Sequence, residues 1–220
     1  FLEISKFSID FDCVLNSFLH QNENHYQNKF NFFQEKRDLA KNLIPVINEN
    51  NPEHLRDIVQ LGLKTANDFN FIALTLNISS QFDKSFNILS SILAAFSDEA
   101  ISKTILILDA GKIESLNQIN IDNLRTAHNL IKNHSFYSII SCSTSYPNTR
   151  PLAGEAAVHT CIDPVWQNKF NQQLNKIGKS VIYGDYAATD PSIEAYEFDF
   201  AVHPIPYATY LLNESFEWFT

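Results

Sequence analysis

Residues 181–191 read VIYGDYAATDP, a short apolar strand pattern that runs into Gly-Asp-Tyr and then meets a proline. In an α/β protein such a junction forms the carboxyl end of a strand, where ligand sites are built. We predict that Gly184 supplies the backbone geometry of a sharp turn, through positive φ or close approach, and that Asp185 is lifted to a ligand or partner. The alternative is that Asp185 caps the turn by accepting backbone N–H groups.

Similar runs recur along the chain. Each is short, apolar, rich in β-branched residues and bounded by turn residues, which is the pattern of a buried strand. They cover residues 1–5, 43–48, 71–77, 104–109, 137–141 and 180–183, with a weaker run at 200–207.

Helical patterns separate these runs. Asn51-Pro52-Glu53 predicts a helix start, with Asn as cap and Pro in the first turn, and a helix to about Asn67. Residues 121–132 and 165–177 are amphipathic, whereas the Asn- and Gln-rich segment 16–42 predicts either one long helix or a helix plus an excursion. One apolar helical face is formed by Phe82, Phe86, Leu89, Leu93 and Phe96.

Strands that alternate with helices predict right-handed βαβ units and a mainly parallel sheet. About seven strands suit an α/β fold of the (β/α) TIM-barrel type, with a strand missing at a terminus; the alternative is an open, mainly parallel sheet. Residues 1–220 are predicted to form a single domain. The chain contains no Met, which indicates a fragment of a longer chain or a sequence from which residues are missing.

The composition limits the class of function. A net charge of -9 and a pI near 5.2 argue against broad binding to nucleic acid or to acidic membranes. No apolar run approaches the ~20 residues of a membrane-spanning helix, and the first residues do not form a signal peptide. Three Cys without metal-ligand spacing favour reduced thiols and no zinc site. The expected location is the cytoplasm.

Polar residues that follow the predicted strands are the candidates for chemistry. In a barrel these positions meet at the carboxyl mouth, so the three carboxylates Glu3, Asp109 and Asp185 are candidate catalytic residues. Crowded carboxylates shift each other's pKa, perform acid–base chemistry or hold a divalent metal. Each one alone is equally typical of a helix cap or turn. Further strand exits contribute Asn48, Asn77, residues 141–145 and His203.

The strand exit at residues 141–147, SCSTSYP, is rich in hydroxyl groups. Such a loop is able to bind phosphate through hydroxyls and amides, although a plain polar turn fits equally well. We expect Cys142 to be an inert thiol, Asp163 with Pro164 to begin a helix as cap and first-turn pair, and Trp166 to lie in the core. The predicted ligand-binding residues are Ser143, Ser145, Gly184, Asp185 and Tyr186.

The order of these motifs resembles the Beta-protein family of phage and bacterial proteins over about residues 43–218. The resemblance rests on IPVI at 44–47, ILDAGKI at 107–113, STSYP at 143–147, Asp163, Trp166, YGDY at 183–186, Pro191, PYATY at 206–210 and Trp218. Relatives are expected to carry arginines before the acidic residue and in the late strand, where this chain has His159 and Pro206. If those arginines bind an anion in the relatives, that function is not expected for this chain.

The resemblance implies a fold and a setting, but no reaction. It implies a protein that acts in phage–host conflict by binding a macromolecule or small ligand at the barrel mouth. One alternative is an enzyme, a metal-assisted hydrolase or phosphodiesterase that uses the strand-end carboxylates and a divalent metal. The other is a scaffold or sensor subunit of a multi-chain complex. Expected partners are a protein or a small ligand, not a membrane.

Overall fold

The fold was analysed in a computed structural model that describes residues 19–39, 42–49, 51–145, 158–185, 210–212 and 217–219. Helices and strands alternate along most of the chain, as the sequence predicts. The helices are α1 (Gln27–Leu39), α2 (Leu55–Asp68), α3 (Phe82–Ala95), α4 (Asp98–Ser102), α5 (Ile121–Asn133) and α6 (Asp163–Asn175). The strands are β1 (Val46–Ile47), β2 (Ile72–Asn77), β3 (Thr104–Lys112), β4 (Ser138–Thr144), β5 (Val158–Thr160), β6 (Ile182–Asp185), β7 (Tyr210–Leu212) and β8 (Glu217–Phe219).

Five strands form the main sheet in the order β1-β2-β3-β4-β6, and all neighbouring pairs are parallel. The predicted parallel α/β architecture is therefore confirmed. The arrangement fits the open parallel sheet, since the described residues do not close it into a barrel. A second, antiparallel sheet has the order β5-β8-β7, and the sequence patterns did not predict it.

The two faces of the main sheet differ. Right-handed crossovers between strands taken in sequential order place the connecting helices on one face. Leu74, Leu106 and Ile139 lie on that face and belong to the large apolar core that includes the helices. The opposite face carries a small cluster around Val46, Ala73 and Ile105. Strand alternation explains this division, because successive side chains point to opposite faces.

The local helix signals act as predicted. The side chain of Asn51 accepts a hydrogen bond from the Glu53 amide at 3.1 Å, beginning a 3-10 turn (Pro52–His54) that leads into α2. Helix α3 buries Phe82, Leu89 and Leu93. Phe96, the residue after α3, is 8% exposed, and Phe86 packs against the same core. The predicted apolar face is confirmed.

Strand β3 runs farther than the sequence predicted. Its expected end at Asp109 is wrong, because pairing with β4 resumes three residues later, at Lys112 and Thr144. The register shifts between Asp109 and Lys112, where Gly111 has a φ of +65°. Glycine adopts this left-handed conformation at no steric cost, so it permits a bulge inside the strand where we predicted a turn after it.

Several predicted features lie outside the described residues. These are the strand at 1–5 with Glu3, the weak strand at 200–207 with His203, and Tyr186. The described part of segment 16–42 contains a turn at Asn22–Tyr26 and then helix α1, which fits the alternative of a helix plus an excursion.

Candidate functional site

The carboxyl edge of the main sheet gathers the residues predicted from the strand exits. The register aligns Asn77 with Asp109, Asp109 with Cys142, and Cys142 with Gly184. Asp185 pairs one step further along, with Ser143. Asp109 and Asp185 therefore lie at the same end of the sheet. The side chain of Asp185 is outside the described structure, so its ligand role stays a prediction.

Asp109 and Asn77 both organise local backbone. The Asp109 carboxylate accepts a hydrogen bond from the Gly111 amide at 2.7 Å, which fixes the bulge. The side-chain oxygen of Asn77 accepts from the amides of Ser79 and Gln81, at 3.0 and 3.2 Å, just before α3. These are Asx-type contacts of the kind that shape turns. A catalytic role for Asp109 stays a prediction.

Gly184 lies inside β6, so the predicted turn at Gly184-Asp185 is wrong. Pairing with β4 continues through Asp185, because ladder hydrogen bonds override the turn preference of these residues. A Cβ atom at Gly184 would meet Ile140 Cγ2 at 2.9 Å and the Ser141 carbonyl oxygen at 3.1 Å. Positive φ occurs at Gly111 and Gly178 but not here. Close approach, rather than left-handed backbone, explains this glycine.

Replacing Gly184 with alanine is expected to lower the free energy of unfolding by about 1–3 kcal/mol, because the added methyl overpacks the β4–β6 contact. Urea unfolding followed by circular dichroism measures the change. An unchanged midpoint, with an unchanged dependence on urea, would contradict the close-approach explanation.

A buried serine–aspartate cluster, formed by Ser141, Ser143, Ser145, Asp163 and Gln167, joins β4 to helix α6. Asp163 is buried, with 1% of the residue exposed to solvent. It accepts hydrogen bonds from the Ser143 hydroxyl at 2.6 Å and from both the amide and the hydroxyl of Ser145, the amide at 2.8 Å. Asp163 was predicted to cap the helix, but Ile162 holds the cap position. The carboxylate instead binds Ser143 in β4 and Ser145 just after β4, which lie 20 and 18 residues before it in the chain.

Two further residues of α6 complete the attachment. The indole N–H of Trp166 donates to the Ser143 hydroxyl at 3.0 Å, and Trp166 is buried as predicted. The Gln167 amide donates to Ser143 and to the Gly184 carbonyl, both at 3.2 Å. The hydroxyls of Ser143 and Ser145 are thus engaged inside the protein. Ligand binding by them stays a prediction and would require these bonds to be exchanged.

The two described cysteines, Cys142 and Cys161, lie near this cluster and are not joined in a disulfide. Cys161 is fully buried, and burial raises the pKa of its thiol. A buried thiol with a raised pKa is a poor nucleophile at neutral pH. Cys142, in the aligned row of the carboxyl edge, is half-buried.

A second polar cluster lies at the carboxyl end of β1, and we call it the histidine–glutamate cluster: His20, Tyr26, Lys29, Asn48 and Glu49. The Lys29 ammonium donates to Glu49 Oε1 at 2.7 Å and to Asn48 Oδ1 at 2.9 Å. The side chains of Lys29 and Glu49 are 0% and 1% exposed. Such buried charges persist only when they are paired and hydrogen-bonded.

His20 connects the buried ion pair to an open hydrogen-bonding position. Its Nδ1 lies 2.9 Å from Glu49 Oε1. An ionised carboxylate only accepts hydrogen bonds, so Nδ1 carries a proton and Nε2 is the second hydrogen-bonding atom of the ring. His20 Nε2 is buried and has no hydrogen-bond partner in the described part of the protein.

The turn before α1 holds this cluster in place. Asn24, His25 and Tyr26 all have positive φ, at 49°, 60° and 56°. Non-glycine residues adopt this conformation only where the surroundings enforce it. The His25 ring nitrogen bonds to Asp57 at 2.5 Å, which ties the turn to α2. Burial, with added effects from the charges of Glu49 and Asp57, raises the pKa of the neighbouring Tyr26, which stays a neutral phenol.

Sequence reasoning named Asn48 in this cluster but missed the other members. Lys29 lies in a polar, Asn-rich helix, and such a lysine normally faces solvent. The available signal was position: Glu49 directly follows Asn48 at a predicted strand exit. Only the fold shows that Lys29 and His20 converge on it.

Two other kinds of site are absent from the described ranges. In the described ranges, no group of three or more His, Cys, Asp or Glu side chains is arranged to hold a metal ion. Within the same ranges, no helix has the length and apolar character needed to cross a membrane.

The fold and the polar carboxyl edge define an α/β protein with a sequentially ordered parallel sheet and a buried histidine–glutamate pair at that edge. A family model described as Beta protein matches residues 6–219. The chain therefore belongs to the Beta-protein family. No curated protein matches it.

Proposed function

We propose that this member of the Beta-protein family binds a small polar ligand at the carboxyl edge of its parallel sheet, next to the histidine–glutamate cluster. The ligand presents a hydrogen-bonding group to His20 Nε2. Asp109 and Asp185 lie towards the carboxyl ends of β3 and β6, which are two and four places along the sheet from β1. In the closed barrel proposed below they line the same carboxyl end as His20, and there we propose them as further contacts.

One observation carries the proposal: His20 Nε2 is buried and has no hydrogen-bond partner among the residues that the structure describes. Buried polar atoms almost always have a partner, because an unpaired one loses its hydration without compensation. Here the other ring nitrogen is held by Glu49 at 2.9 Å, and Glu49 is in turn held by Lys29 at 2.7 Å. The orientation of the ring is therefore fixed. A buried ring nitrogen that has a fixed position and no partner among the described residues is the expected state of a binding residue before its ligand arrives.

The same contacts favour a second candidate function, general-base catalysis. A histidine whose Nδ1–H is oriented by a carboxylate, with Nε2 free, has the arrangement of a catalytic base. A hydrolase using Asp109, Asp185 and Glu3 with a divalent metal remains the enzymatic form of this proposal.

Thermal unfolding with a compound panel tests the binding proposal. The panel contains amino acids, sugars, nucleosides, nucleotides and polyamines, each alone and with Mn²⁺. We expect at least one class to raise the melting temperature of the wild type by several degrees, because a ligand that binds only the native state stabilises it. His20→Ala should abolish the response, and Asp109→Asn and Asp185→Asn should reduce it.

The control is His134→Ala. His134 is partly buried, as His20 is, but it follows α5 and precedes β4, at the amino end of the sheet. The His134→Ala variant should show the same rise in melting temperature with the stabilising compound as the wild type does. The binding proposal fails if no compound stabilises the protein, or if His20→Ala retains the full response. Turnover of the compound by the wild type, lost in His20→Ala, would support catalysis instead.

The biological setting is a further proposal, and membership of the Beta-protein family supports it. We propose that the protein is cytoplasmic and acts in phage–host conflict. Phage should form plaques with a different efficiency on cells that express the wild type than on cells that express His20→Ala, when both proteins accumulate to equal levels. Equal plating across a phage panel would argue against this setting.

We also propose that the main sheet is part of a (β/α) barrel whose interior is the face carrying Val46, Ala73 and Ile105. The sequential strand order and the helices on one face support this proposal. A crystal structure with an open sheet edge at β6 would rule it out.

A further inference from the structure

A groove separates helices α5 and α6 on the helical side of the protein. Its volume is about 560 Å³. The walls come from one face of each helix and from the turn before α5. The apolar lining consists of Leu116, Ile119, Ile121, Leu124, Trp166 and Phe170.

The groove has a buried floor and an exposed apolar rim. Trp166 and Phe170 form the floor and are 3% and 4% exposed. Ile121 and Leu116 on the rim are 67% and 40% exposed. Exposed apolar residues that border a groove mark interaction sites more often than the same residues scattered over a surface. A ligand confined to the cavity would leave Ile121 in water, whereas a longer partner would cover it.

The charge of the groove is opposite to that of the protein. Arg125, Lys169 and His128 line it, and no carboxylate does. The whole chain has 25 acidic and 16 basic residues. Arg125 pairs with Asp122 in the same helix, but both side chains are about 70% exposed, and such surface pairs exchange readily. Lys169 forms no ion pair with any described residue.

We infer that this groove docks an acidic amphipathic helix of a partner protein. An apolar stripe at i, i+3, i+4 and i+7 would fill the groove and cover Ile121 and Leu116. Asp or Glu residues beside that stripe would face Arg125 and Lys169. Charge complementarity selects an acidic partner and disfavours a basic one. This surface lies on the helices and is separate from the proposed ligand site near His20.

Fluorescence anisotropy with a labelled helical peptide tests the inference. The peptide spans about four turns, with leucines at i, i+3, i+4 and i+7 and glutamates at most other positions. Saturable binding is expected, and a scrambled peptide of the same composition should bind at least roughly tenfold more weakly. Ile121→Ser should also weaken binding roughly tenfold, without changing the unfolding midpoint, because the residue is mostly exposed.

Charge reversal separates a specific site from general attraction. Arg125→Glu with Lys169→Glu should abolish binding of the glutamate peptide and permit binding of a version with lysine in place of glutamate. The control is the double variant Arg56→Glu with Lys84→Glu, at exposed positions on α2 and α3. It changes the net charge by the same amount as the reversal in the groove, but it should leave the affinity for the glutamate peptide within about twofold of the wild type.

Three outcomes would overturn the inference: equal binding of the scrambled peptide, equal loss in the two double reversals, or no peptide binding. Dodecanoate serves as a second probe. If dodecanoate binds in an Arg125-dependent manner and the peptide does not, the groove is a site for a small anionic amphiphile and the helix-docking inference is wrong.

Discussion

Replacing Lys29 with methionine is expected to lower the free energy of unfolding by about 3–5 kcal/mol, because it removes the counter-charge that lies 2.7 Å from the buried Glu49 carboxylate. Lys29 and Glu49 have side-chain exposures of 0% and 1%, and the ammonium also donates to Asn48. Methionine fills a similar volume, so the effect reports the lost charge and hydrogen bonds rather than a cavity. Urea unfolding of the variant, monitored by circular dichroism, measures it.

The chain offers a matched control for this prediction. Lys103 pairs with Glu99 at the same distance, 2.7 Å, but the two side chains are 39% and 77% exposed. Lys103→Met should leave the unfolding midpoint almost unchanged, since water already screens that pair. Adding Glu49→Gln to Lys29→Met should recover part of the loss, because the buried charge is removed. Equal effects of Lys29→Met and Lys103→Met would contradict the prediction.

Asp163→Ala is expected to lower the free energy of unfolding by about 3 kcal/mol or more. The substitution leaves the buried hydroxyls of Ser143 and Ser145, and the Ser145 amide, without the carboxylate that accepts their hydrogen bonds. The substitution also removes the contact that fastens α6 to β4. Amide hydrogen exchange should therefore accelerate at Ser145, whose N–H donates to Asp163 at 2.8 Å. Amide exchange in β2, which β3 separates from β4 in the sheet, should follow only the global loss of stability.

Asp122→Ala is the control for Asp163→Ala. Asp122 occupies the first turn of α5, as Asp163 occupies the first turn of α6, but its side chain is 73% exposed. The two substitutions remove the same charge from the same part of a helix, so helix-dipole effects are shared. If both variants lose a similar, small amount of unfolding free energy, the buried hydrogen bonds of Asp163 contribute little to stability.

Much of the fold was predictable because its signals are local. The Asn51 cap, the apolar face of α3 and the β-branched runs each report the conformation of their own segment. Because the predicted strands alternate with helices, neighbouring strands are expected to pair in parallel. The carboxyl ends of parallel strands lie at the same edge of the sheet. That is why Asp109 and Asp185 were correctly expected at the same end. Strand ends were less predictable, since Gly111 and Gly184 both lie inside strands where the sequence indicated turns.

The sequence by itself determined the parallel α/β class, the burial of the apolar faces and the membership of the Beta-protein family. Only the tertiary structure decided which polar side chains meet. Lys29 and Glu49, or Ser143 and Asp163, are each 20 residues apart and carry no mutual signal in the chain. Periodicity reports which face of an element is apolar, whereas a buried polar contact depends on the distance and angle between elements. The buried nitrogen of His20, which has no partner among the described residues, is likewise a property of the folded site, because it arises only once Glu49 holds the ring and the surrounding chain excludes water.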